Sequence, residues 1–169
     1  MAIHHLLNDE LEGEVRRTRA ALARVPADQA GFAPHPKSTP LGKLAAHVAQ
    51  LGGFGTIILT QPELDFATAG MKPLQFESPA QLVAAFDQGI AAVRQALAKM
   101  PEEAWAQPWK LRMKDQVFFE GNRFVAYRAM FLNHLVHHRA QLGVYLRLVG
   151  VAVPSTYGPS ADEMVPAAA

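Results

Sequence analysis

Apolar residues recur at helical spacing in four stretches of the chain, and no stretch alternates well enough to predict a strand. The first runs from about Ile3 to Val25, with Leu7, Leu11, Val15, Leu22 and Val25 on one stripe and charges elsewhere. Pro26 stops it, because proline breaks the helical ladder and clashes with the turn before it. The second is predicted to start at Ser38-Thr39-Pro40, where a hydroxyl accepts an orphan N–H and proline has none to leave unpaired. Its stripe is Leu41, Leu44, Ala45, Val48, Leu51 and Phe54, and Gly52, Gly53 and Gly55 predict a close helix approach or a bend. The third repeats the start signal as Ser78-Pro79, continues through Leu82, Phe86, Ile90, Val93 and Leu97 to Met100, and ends at Pro101. The fourth begins near Gly121 or Asn122 and reaches about Val149, with Gly150 as C-cap. Its roughly 28 residues span about 42 Å at 1.5 Å per residue, a length that belongs in a bundle.

The expected fold is therefore all-α, a four-helix bundle. A long aromatic loop from Pro101 to Gly121 joins helices three and four and carries Trp105, Trp109, Phe118 and Phe119. Such a loop is expected to fold over the bundle, anchored by its tryptophans, with room for a short hairpin inside it. One domain is expected over residues 1–169, with a frayed tail from about 160 to 169.

Composition narrows the function. Sixteen Lys and Arg against fifteen Asp and Glu leave a net charge of +1, which argues against a nucleic-acid partner. The basic run Arg16-Arg17-Thr18-Arg19 follows Asp9, Glu10, Glu12 and Glu14 and reads as a solvated face. Cysteine is absent, which excludes disulfides, Cys-ligated zinc, iron–sulfur clusters and a Cys nucleophile. No apolar run approaches the ~18 residues of a membrane span, and the first residues lack the pattern of a secretory signal, so no membrane association and a cytoplasmic location are expected.

The chemistry sits in the histidines, of which there are seven. Helix four carries Asn133-His134-Leu135-Val136-His137-His138-Arg139-Ala140-Gln141. His134 and His138 are four apart, which puts two imidazoles on one helix face, a pattern that chelates a divalent metal. His137 offers the alternative spacing of three, but the stripe Phe131, His134, Leu135, His138, Leu142 and Tyr145 turns it to the edge. His47 sits among core positions of helix two and is the third candidate ligand. Three neutral imidazoles leave a coordination position open for water or substrate. His4 and His5 read as solvated, and His35, between two prolines, as a turn residue.

Arg139 and Gln141 flank these ligands and are candidates to support them or to meet substrate, as are Tyr127 and Arg128 one to two turns earlier. Leu135 follows His134 where a zincin has its catalytic Glu, so a zincin-type peptidase is disfavoured. No G-x-S-x-G elbow and no phosphate-cradling glycine loop is present.

The run from Asn133 to Gln141 resembles the helix-four signature of the DinB-like family, also called DNA-damage-inducible or YfiT-like metalloenzymes. Asn133, His134, His137, His138, Arg139 and Gln141 match the family form, and Ala140 replaces its usual Gly. The segments Phe32–His47 and Val153–Glu163 also resemble the family. The resemblance implies a four-helix bundle, a metal triad of His47, His134 and His138, and a homodimer. It implies one divalent ion, zinc or nickel first, with manganese or iron in some relatives. It further implies a metal-dependent S-transferase or hydrolase, acting on a small-molecule electrophile with a low-molecular-weight thiol such as bacillithiol or mycothiol. The rival expectation is a metal-binding stress-response protein or dimeric binding module without turnover.

Overall fold

The computed structural model describes residues 2–164. Three long helices, α1 (Ile3–Leu22), α2 (Leu41–Thr60) and α3 (Pro79–Ala98), are followed by a helical run in three parts. These parts are α4 (Arg123–Ala126), a π-helical segment (Tyr127–Leu132) and α5 (Asn133–Leu148). The helices bury one continuous core, with Leu11, Leu22, Leu41, Leu51, Ile58, Leu82, Phe86, Ile90, Phe131 and Leu142 at its centre. No helix among the described residues is long and apolar enough to cross a membrane.

The expectation of a purely helical fold is corrected by a three-stranded sheet of β1 (Glu63–Asp65), β2 (Pro108–Met113) and β3 (Gln116–Asn122). The aromatic loop contains the β2–β3 antiparallel hairpin, and β1 pairs with β2 in parallel. On β2 the alternation buries Trp109 and Leu111 and turns Lys110 outward. The hairpin reverses at Lys114, whose φ of 53° lies in the left-handed region. Asp65 holds that strained turn by accepting from the Lys114 N–H (3.2 Å), while Arg112 bridges Glu63 and Asp65. Trp105 packs edge-on to Tyr127, and both tryptophans are buried, so they anchor this segment as expected.

Two helix starts show different solutions to the same problem of orphan N–H groups. Ser78 caps α3 as expected, its hydroxyl accepting from the Gln81 N–H (3.1 Å), with Pro79 in the first turn. At α2 no hydroxyl caps the helix, which begins at Leu41 with Pro40 in the cap position. The carbonyls of Phe32 and Ala30 accept from Leu41 and Gly42 instead, both at 2.8 Å. This ties the 30–40 segment to the start of α2 and fixes one wall of the site described below.

The glycines of α2 mark close approach. A Cβ on Gly52 would lie 2.7 Å from the Gly89 carbonyl carbon of α3, and one on Gly55 would lie 2.9 Å from the Phe131 ring. The helices therefore meet at backbone contact, and α2 keeps its helical path through all three glycines.

The basic run on α1 is not uniformly solvated, since Thr18 is fully buried beside Arg139. The described part of the tail beyond residue 160 carries contacts of its own. Asp162 pairs with Arg147, and Glu163 pairs with Arg24. The two carboxylates also accept from the Val153 and Ser155 N–H groups (2.8 and 2.7 Å), closing the tail into a clasp. The expected fraying of 165–169 lies outside the described residues. The Arg147 guanidinium, then the Val153 amide, hold Asp162 down to about 2 from an ordinary 3.8. The Ser155 amide, then Arg24, hold Glu163 down to about 2 from 4.5. Depressed carboxylates stabilise the clasp fully above their ordinary values and lose that contribution as pH falls towards about 2. Amide exchange at Val153 and Ser155 is accordingly expected to accelerate selectively, relative to the core helices, between about pH 4 and pH 2. Unchanged relative protection across that range would contradict the clasp.

Candidate metal centre

α2 and α5 bring three imidazoles to one point. One nitrogen from each of His47, His134 and His138 lies within 4.8 Å of the other two. His134 Nε2 is 3.3 Å from His47 Nε2 and 2.8 Å from His138 Nε2. Ligands at ~2.0–2.1 Å around a tetrahedral ion would stand about 3.3 Å apart, so the spacing suits one small cation.

The tautomers point the same way. The Met130 carbonyl can only accept, so the neutral His134 ring carries its proton on Nδ1, 3.2 Å away, and presents a bare Nε2. Gln141 Oε1 does the same for His138 Nδ1 at 2.7 Å. Two unprotonated nitrogens then face each other at the centre, an arrangement that repels unless a cation lies between them. Burial, then the nearby His138 and His134, push His47 down to about 4, and burial lowers His134 and His138 as well. All three rings are thus held in the neutral form that ligates a metal. The residues fit a divalent ion, whose identity they leave open because imidazole suits several.

The remaining candidates fall into three groups. Gln141 supports His138 directly, as the spacing suggested. His137 is exposed and packs its ring against His138 without joining the cluster. Arg139, Tyr127 and Arg128 turn elsewhere. Arg139 is buried against Glu14 of α1, Arg128 pairs with Glu10, and Tyr127 is sealed among Trp105 and Phe131. Burial raises the Tyr127 hydroxyl well above its ordinary value, so it stays protonated. Arg139 follows His138 directly and so points about 100° further round α5, while the π-helical segment from Tyr127 to Leu132 changes the angular phase of Tyr127 and Arg128 relative to His134.

Two clefts reach the triad. One, of about 630 Å³, is lined by Lys37, Ser38, Thr39, Gln141 and Tyr145 beside His47 and His138. The other, of about 360 Å³, is lined by Leu51, Phe54, Phe66, Met71 and Pro73 beside His47 and His134. Gln50 was not singled out by the sequence, yet it builds the second wall. Its Oε1 accepts from the Leu74 N–H (2.7 Å) and its Nε2 donates to the Lys72 carbonyl (3.0 Å). The available signal was a polar residue one turn beyond His47 on an otherwise apolar helix. A further groove on α5, of about 450 Å³ and lined by Gly143, Leu148, Val153 and Tyr157, lies under the tail and contains none of the three histidines.

The profile of the DinB superfamily matches residues 10–142, and the chain belongs to that family. A DinB-like protein from Bacillus subtilis superposes with a TM-score of 0.67 at 13% identity, over 90% of this chain and 97% of that one. A DinB-like protein from Bacillus cereus does so with a TM-score of 0.66 at 19% identity, over 92% and 98%. At such identities the likeness is one of fold. Among curated proteins, none matches this sequence.

Removing the partner of a ligating imidazole ordinarily weakens metal binding about 10–100-fold. Gln141→Leu is therefore expected to lower affinity for zinc by at least about tenfold in a chelator competition, with helical content unchanged. An unaltered affinity would show that Gln141 does not orient His138.

Proposed function

We propose that the protein is a metal-dependent S-transferase that joins a low-molecular-weight thiol to a small electrophile. The observation that carries this reading is the pair of separate clefts meeting at His47, one edged by Lys37, Ser38 and Thr39 and the other by Leu51, Phe54 and Phe66. A hydrolase needs access for one organic reactant and water, whereas a transferase needs room for two. Among the described residues no fourth His, Asp or Glu joins the three imidazoles, which favours an open site over a closed structural one. A divalent ion held there would supply a Lewis acid that lowers the pKa of a thiol.

The chain's own residues do the rest. His47, His134 and His138 stay neutral, and Met130 and Gln141 fix two of the rings. Lys37, Ser38 and Thr39 offer charge and hydrogen bonds to the polar body of a thiol. In the reaction the S–H proton passes to solvent, sulfur bonds to the electrophilic carbon, and the carbon–leaving-group bond breaks with its electron pair on the leaving group. A homodimer, implied by the family resemblance, and a cytoplasmic location, expected from the sequence pattern, belong to the same proposal.

The test is turnover of 1-chloro-2,4-dinitrobenzene with bacillithiol, mycothiol, glutathione and cysteine, with zinc or nickel and after chelation. A metal-dependent rate with one thiol supports the reading. No metal-dependent rate with any of them, while the protein binds metal stoichiometrically, would favour the non-catalytic alternative.

A further inference from the structure

We infer that the smaller cleft is a subsite for the aromatic part of the electrophile, built by Phe54 and Phe66 with Phe118 at its rim. The inference rests on the transferase reading for the ligand's role, but the binding it asserts stands on geometry of its own. The three rings come from α2, the turn after β1, and β3. Phe54 and Phe66 have centroids 6.0 Å apart at 55°, and Phe66 and Phe118 stand 6.5 Å apart at 57°. The chain of rings ends on a ligand, with Phe54 edge-on to His134 at 6.3 Å and 85°. A planar group lying against Phe66 and Phe54 would thus be delivered beside the three imidazoles.

Phe54 packs partly against the core, but the outer side chains are not needed to hold the fold. Phe66 is 38%, Met71 42% and Phe118 51% exposed, so the core gains little from them. The segment that carries them is fastened by polar contacts instead. Phe66 N–H donates to the Arg112 carbonyl (3.0 Å), Asp65 accepts from Ala67 (2.9 Å), and Gln50 pins Lys72 and Leu74. Large apolar side chains left in water around a concavity of about 360 Å³ gain most by covering an apolar guest. Aromatic pairs add geometry-dependent attraction, which selects a ring over an aliphatic chain of equal area. The larger cleft, with Lys37, Ser38 and Thr39, suits the polar reactant, and Phe54 and Phe66 line only the smaller one, whose lining also includes Gln50 and Lys72.

The experiment uses 6-propionyl-2-dimethylaminonaphthalene, a neutral naphthalene whose emission shifts to the blue in apolar surroundings, titrated into the full chain with and without chelator. Saturable binding is expected in both conditions. Phe66→Ala and Phe54→Ala are each expected to raise Kd about fivefold to tenfold, Phe66→Tyr to restore it, and Phe66→Leu to recover only part. Lys37→Ala in the polar cleft, Leu148→Ala in the groove under the tail and Leu6→Ala on α1 are expected to leave Kd unchanged. A Kd insensitive to Phe66→Ala, or lowered affinity in Lys37→Ala equal to that in Phe66→Ala, would overturn the assignment. Because the probe is bound and not turned over, absence of thiol transfer would remove the transferase reading and leave this result standing.

Discussion

Replacing His134 by alanine is expected to strip the protein of its divalent ion. After dialysis against zinc and removal of the free ion, elemental analysis should find about one ion per chain in the parent and less than about a tenth of that in the variant. His134 is the middle ring, with Nε2 within 3.3 Å of both other ligands. Its loss leaves two imidazoles on different helices, and the expected drop in affinity exceeds the roughly hundredfold upper range seen when only a ligand's supporting partner is removed. The ring is half-buried at the edge of the smaller cleft, so the metal-free variant should melt within a few degrees of the metal-free parent. Equal metal content in the two proteins would overturn the triad. In the metal-free parent, His47 is held at about 4 against an ordinary 6.5. The unfolded chain therefore takes up the proton first, and stability should fall as pH drops from about 6.5 towards 4.

The second large effect belongs to the buried pair of Arg139 and Glu14. Their residues are 3% and 4% exposed, and they join α5 to α1 across 125 positions of sequence. Tyr157 closes the arrangement, donating its hydroxyl to Glu14 Oε1 (2.9 Å) and accepting from Arg139 Nη2 (3.1 Å). Removing one member leaves the other charge buried without a partner, which costs about 3–5 kcal/mol. Glu14→Ala is expected to lower Tm by roughly 10 °C, at about 2–4 °C per kcal/mol for a chain of this size. The double variant Glu14→Leu with Arg139→Met should recover most of that loss, because it leaves no buried charge unpaired; Arg17, which also meets Glu14, is part-exposed to water. Thermal melts of the three proteins decide it, and a single variant as stable as the parent would show that the pair carries no desolvated charge.

Sequence periodicity located the four helical stretches because each has an apolar stripe long enough to set its own phase, as Leu82, Phe86, Ile90, Val93 and Leu97 do. It also located the three histidines, since a local spacing of four and one polar residue in an apolar stripe are both readable. The strands were harder. Trp109 and Leu111 alternate with polar neighbours, but β3 buries none of its residues fully and leaves the apolar Val117 and Phe118 exposed side by side. β1 is only three residues long and exists by pairing with β2. The role of Arg139 could not be read locally, because nothing near it in sequence names Glu14 as its partner. The side chains of Tyr127 and Arg128 turn away from the three imidazoles, a direction that local sequence spacing does not reveal because the segment before His134 widens to π geometry.

The backbone contact between Gly52 and Gly89 has a consequence for how genetic data on this protein would be interpreted. His47 stands five positions before Gly52 on the same rigid rod, so any side chain forced into that crossing must tilt the rod and carry the imidazole with it. A random mutagenesis screen scored by loss of bound metal should therefore return hits at two small residues that never approach the ion. Taken at face value, such hits would be mistaken for a second coordination sphere when they report the alignment of a lever.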